Sequence, residues 1–170
     1  LLKQSELLRR RADALDAFEN RLAYAQAHLD EPAICDRPPL RLLRPSLSEL
    51  SAADMENRRS LDAFIAAMPD TRISFARALA PKSEKHFRLC ADEAACAAWT
   101  LPLEHTASLP SARCVRVIHR WDDEAVPEIL ACAQKAGHAV RVDGELFGLH
   151  LASETSEGKV SLYAAVYLPI

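Results

Sequence analysis

Glycine is scarce in this chain, four residues in 170. A glycine-rich loop that cradles phosphates, or a dinucleotide fingerprint, needs several glycines close together, and no such cluster occurs, so nucleotide binding through a standard loop is not expected. The Gly-x-Ser-x-Gly elbow of hydrolases is missing as well. No apolar run approaches the ~18 residues that cross a bilayer, and no signal peptide is visible. Excess positive charge is also lacking. The net charge is −3 and neither half is a polycation, so generic phosphate-neutralising nucleic-acid binding is not expected. No cysteine pair has Cys-x2-Cys spacing, which removes the strongest signal for zinc. The best run of metal-binding types, His86, Cys90, Cys96, His105 and Cys114, therefore reads as core, with neither metal nor cofactor expected.

Five cysteines are present, Cys35, Cys90, Cys96, Cys114 and Cys132. The number is odd and the spacing follows no disulfide scaffold, so reduced thiols in a cytoplasmic protein are the simplest reading. The first residues, Leu1-Leu2-Lys3, already read as helix. The chain therefore reads as a fragment, and a membrane anchor upstream would place it in the periplasm instead. The overall composition, 49 % hydrophobic and 26 % charged, is that of a globular protein.

Residues 2–30 hold no Gly or Pro and predict one long helix. Leu1, Leu8, Leu15, Leu22 and Leu29 recur every seven residues and form one stripe. A coiled coil wants a second apolar row, and that row is apolar only around Phe18 and Ala25. Gln4 and Arg11 occupy it earlier. The predicted helix interface is Leu8, Leu15, Phe18, Leu22 and Leu29. Four prolines over residues 32–46 predict an extended connector, with Leu40, Leu42 and Leu43 packing and Arg37, Arg41 and Arg44 left in water.

Ser51 and Asp54 signal the start of a second helix, which Pro69 stops. Strands are expected near 71–79 and 86–90, and Asp92 reads as the N-cap of a short helix to about Trp99. Arg113–Trp121 alternates as a strand, and Asp122-Asp123 begins a helix that Gly137 ends. Three strands should follow, His138–Val142, Glu145–Leu151 and Lys159–Leu168. Asp143-Gly144 is expected as a tight hairpin turn, and residues 153–158 as a longer polar connection. The expectation is an α+β fold, a long N-terminal helical arm and a second helix, then a mixed, mainly antiparallel sheet in the order α-α-β-β-α-β-α-β-β-β with helices on one face. No internal repeat is visible. The organisation reads as an arm over 1–31, a connector over 32–46 and one α+β domain over 47–170.

A helix followed by three antiparallel strands resembles the closing half of a PAS- or CACHE-like sensor domain, which implies a small-molecule ligand. A helical arm before a small α+β body is similar to periplasmic assembly proteins of pilus and type II secretion systems. The leading expectation is a non-catalytic interaction module that self-associates or binds a protein partner through its N-terminal helix, with no nucleic acid. A sensing domain of a larger bacterial signalling protein is the alternative. A third reading, a hydrolase-type enzyme, would use His119 with Asp122 or Asp123. His119, Trp121, His150, Tyr163 and Tyr167 are the candidate ligand or partner surface, because aromatic residues are enriched in such places.

Overall fold

The computed structural model describes residues 2–44, 55–80, 83–122 and 124–170. Ser51, Asp54 and Asp123 fall outside them. The chain runs α1 (Leu2–Ala27), β1 (Ala33–Arg37), β2 (Leu40–Leu43), α2 (Met55–Ala66), β3 (Arg72–Ala78), β4 (His86–Ala91), α3 (Glu93–Trp99), β5 (Thr106–Leu109), β6 (Ala112–Arg120), α4 (Val126–Lys135), β7 (Glu145–Ser156) and β8 (Lys159–Pro169). The fold is α+β and rich in strand. Among the described residues eight strands form one sheet in the order β1-β6-β8-β7-β3-β4-β2-β5, and every strand pair is antiparallel.

Several local signals in the sequence act as read. Asp92 accepts a hydrogen bond from the Ala95 amide at 2.8 Å and caps α3. Pro127 sits in the first turn of α4, where its missing N–H costs nothing. Gly137 follows that helix with φ +80°.

Other readings are corrected. The proline-rich stretch is not a tether. Residues 33–37 and 40–43 are strands, with only Pro38 and Pro39 between them, and prolines placed between strands cost the ladders no donor. Residues 138–142 form no strand. Asp143-Gly144 belongs to a turn before β7 and makes no hairpin. The tight hairpin is Glu157-Gly158, with φ of 51° and 75°. Both central residues are left-handed, the geometry of a type I′ turn, and β7 runs on to Ser156 to meet it.

A topological repeat underlies this order, although no repeat is visible in the residues. β2-α2-β3-β4 and β6-α4-β7-β8 are both βαββ units. In each, the third strand lies between the other two, as β6-β8-β7 and β3-β4-β2. The units join where β3 pairs with β7. β1 extends the second unit along β6, and β5 extends the first along β2.

This connectivity forces the sheet to curl. In a flat sheet β1 and β2 would lie six strand spacings apart, about 29 Å. The step from Arg37 to Leu40 spans at most about 11 Å. β5 and β6 are tied just as closely, through Pro110 and Ser111. The sheet therefore bends until its ends meet, and Leu40 of β2 packs with Cys114 and Tyr167 from the far side. α2, α3 and α4 cover the convex face. There Val126, Ile129 and Ala133 meet Val115, Val117 and Val166, while Phe64 and Ala67 meet Leu89 and Ala91. α1 lies against the concave face through Leu22 and Ala25, and Leu29 just beyond the helix joins them.

A candidate ligand pocket on the concave face

Strand alternation decides which side chains enter the bowl. Ser74, Ala76, His86, Arg88, Glu145 and Phe147 fall on the same face as the buried Cys90, Leu149 and Tyr167, as the registers Ser74↔Arg88, Ala76↔His86 and Ala76↔Phe147 show. Away from α1 these residues wall a cavity of about 330 Å³, completed by Leu42, Ala107, Ser108 and Leu109. That volume lies at the lower end of the range for small-molecule sites, which are mainly apolar with a few placed polar groups. Here Leu42, Ala76, Ala107, Leu109 and Phe147 supply the apolar wall.

The polar groups are unevenly satisfied. Ser74 is buried and donates to the Arg88 carbonyl at 3.1 Å. The Arg88 Nε is buried without a hydrogen-bond partner. Behind the pocket, the Arg37 guanidinium lies 5.1 Å from the centroid of the Phe147 ring. Arg37 is only 6 % exposed, and it donates from Nη2 to the Pro110 carbonyl at 2.7 Å while its Nη1 has no partner. Burial lowers its pKa from the ordinary arginine value. Burial likewise pushes the Cys90 and Cys114 thiols up to about 11, which leaves them protonated and unreactive near neutral pH.

The residues expected to form one surface are not gathered. Tyr163 is fully buried on the concave side and donates to the Glu154 carboxylate at 2.5 Å, with Arg120 over its ring. Tyr167 shares that face, and its ring centroid is 6.4 Å from that of Phe147. Trp121 instead belongs to the convex-side core and sits 4.1 Å from Phe75, centroid to centroid. His150 is half-buried with Nε2 unpartnered, and burial lowers its pKa.

His119 does not converge with Asp122. Its Nδ1 lies 2.5 Å from the Asp30 carboxylate and its Nε2 3.7 Å from that of Glu128. The Asp122 carboxylate accepts from the Glu124 amide at 2.8 Å. The hydrolase-type site does not assemble from these two residues, because Asp122 is spent on the turn into α4. Of the arm residues, Leu8 and Leu15 are exposed, while Phe18, Leu22 and Leu29 are half-buried.

The pocket itself went unread in the sequence because five strands each give it one to three residues. The signal that could have found it is the alternation Glu145, Phe147, Leu149, which puts a carboxylate and an aromatic ring on a buried strand face. Among the described residues no helix is long and apolar enough to cross a membrane, and no group of His, Cys, Asp or Glu could hold a metal ion.

No family model matches the chain, and no curated protein sequence does. Among solved structures it is similar to the C-terminal domain of EcmrR, with a TM-score of 0.46 and 10 % identity over 82 % of this chain and 96 % of that one. It is also similar to a structure described as "Putative bacterial transcription regulation protein from Staphylococcus aureus MU50". There the TM-score is 0.42 and the identity 10 %, over 82 % of this chain and 99 % of that one. Neither is described as an assembly protein. In this chain, Leu22 and Ala25 of α1 are spent on its own sheet. The expectation of an assembly module acting through the N-terminal helix is therefore withdrawn. The expectation of a protein partner to the exclusion of nucleic acid is withdrawn with it.

Proposed function

We propose that this chain is a small-molecule-sensing domain of a bacterial regulatory protein, acting in the cytoplasm. The observation that carries the reading is the curled sheet, whose concave face walls a cavity of about 330 Å³ with apolar side chains and the unpartnered Arg88. The five cysteines are all free, which suits a reducing compartment. Most native polar groups that are buried find partners, so leaving Arg88 short of one is a cost that a ligand would relieve. Thermal melting against a metabolite library tests the reading. A compound at about 100 times its Kd should stabilise the wild-type chain by about 2.7 kcal/mol, and Ala76→Trp, which fills the cavity, should abolish the shift while keeping the fold. Equal shifts in the filled variant would move binding to another place and end the proposal.

A further inference from the structure

We infer that the ligand of this pocket is an apolar monoanion, an aromatic or aliphatic body carrying one carboxylate or similar acid, seated with its charge on Arg88. The inference rests on the sensing reading and adds the chemistry of the ligand to it. Four buried guanidinium nitrogens without partners belong to the concave face, on Arg37, Arg72, Arg88 and Arg116. Their registers place them there, since Arg72 pairs with Cys90, Ser74 with Arg88 and Arg116 with Tyr167. Arg37 shows the same placement through its contact with Phe147.

The other arginines are partly accounted for. Arg72 has Asp92 at 3.6 Å. Arg116 lies over the Tyr24 ring of α1. Arg37 is stacked on Phe147 and bonded to Pro110. Arg88 has neither an ion pair nor a side-chain hydrogen bond among the described residues, and it is the arginine that lines the cavity. A bowl with low-dielectric walls and several unneutralised cations concentrates field on an anion. Guanidinium groups hold carboxylates by paired N–H bonds, which suits Arg88 to that end of a ligand.

Glu145 limits the charge. It is exposed and lines the same cavity, without an ion pair among the described residues. On the sheet it lies opposite Ala78, whereas Arg88 lies opposite Ser74. The two charges thus sit four residues apart along β3 and on strands either side of it, about 16 Å between their backbones. Phe147, Ala76 and His86 occupy the ground between. A ligand long enough to reach from one to the other would meet a carboxylate at its far end, so a second negative group there is opposed.

Calorimetric titration with matched naphthalene probes tests this. The probes are 2-naphthoate, 2-naphthamide, 2-naphthylmethylammonium and 2,6-naphthalenedicarboxylate. Wild-type chain should bind the carboxylate at least about tenfold more tightly than the amide, the low end of a charge-assisted hydrogen bond. It should also bind the monoacid more tightly than the diacid. Arg88→Met should level acid and amide while still binding the amide, and Arg88→Lys should retain part of the preference, a check should the methionine variant misfold. Glu145→Gln should improve the diacid alone. If wild type binds amide and acid equally, or prefers the ammonium, the anion inference falls while the pocket stands. If it binds none of the four, both this inference and the sensing reading fall.

Discussion

At the scale of single residues, two positions show how tightly the sheet specifies its side chains. Gly148 of β7 sits opposite Phe75 of β3, and a Cβ at 148 would enter the Phe75 ring. That ring in turn stacks against Trp121. Gly148→Ala should therefore destabilise the chain by about 1–3 kcal/mol, the cost of overpacking a filled core. The loss should shrink in the double variant with Phe75→Leu, because the two sites share one space. Urea unfolding of the four chains measures both. His150 offers a pH test. Burial lowers its pKa in the folded chain. Above about 6.5, the ordinary histidine value, it is neutral folded or unfolded and contributes no pH dependence. Below that, the unfolded chain takes up a proton the folded chain resists, so stability falls as pH drops from about 6.5 toward the depressed folded value. His150→Leu should flatten that part of the stability curve. An unchanged slope between pH 7 and 5 would show that other groups set it.

At the scale of elements, α1 presents two unlike faces. Leu8 and Leu15 are 61 % and 59 % exposed, while Ala14 and Ala25 are buried. Arg10 donates to the Ala98 carbonyl, Arg21 to the Leu151 and Pro69 carbonyls, and Gln26 to Glu154, so the helix is bonded to the body as well as packed. Ala25→Asp should cost about 3–5 kcal/mol, the penalty of a buried charge without a partner. Leu15→Asp should fall within about 0.5 kcal/mol of wild type, as surface changes do. Thermal unfolding compares them, and a large loss at Leu15 would mean that this face is covered in solution.

The same elements show why parts of the fold were legible and others were not. Asp92, Pro127 and Gly137 act through bonds within a few residues, so sequence alone exposes them. Leu40 to Leu43 lies in proline-rich text, and its strand character comes from Ala91, Cys90 and residues 106–109, far along the chain. Asp143-Gly144 has the residues of a hairpin turn but no strand before it, because residues 138–142 leave α4 as an irregular segment whose Arg141 amide bonds the Pro169 carbonyl. The pocket was hidden for a related reason. Arg88 is an ordinary strand arginine until β3, β4 and β7 are aligned and the sheet is bent.

At the scale of the whole molecule, the two βαββ units raise the question of whether they unfold together. The β3–β7 ladder joins them through five residue pairs. The convex core crosses the same join, since Phe75 of the first unit packs with Val117, Leu146 and Val166 of the second. The concave core does so as well, bringing Leu40 and Cys90 against Tyr163 and Tyr167. A sheet bent this far leaves neither unit a complete core of its own, so one cooperative transition is expected. The two tryptophans are placed to test this. Trp99 of α3 donates to the Asp70 carboxylate of the first unit at 2.8 Å, and Trp121 follows β6 of the second. Trp121→Phe leaves a reporter beside the first unit, and Trp99→Phe leaves one at the join, where Trp121 packs against Phe75. In each variant, fluorescence and far-ultraviolet circular dichroism should give the same urea midpoint and the same slope. If within either variant the tryptophan signal and the backbone signal separate, the units unfold in turn. The bowl would then be a docking of two half-sheets, and its pocket an opening that widens and narrows as they move.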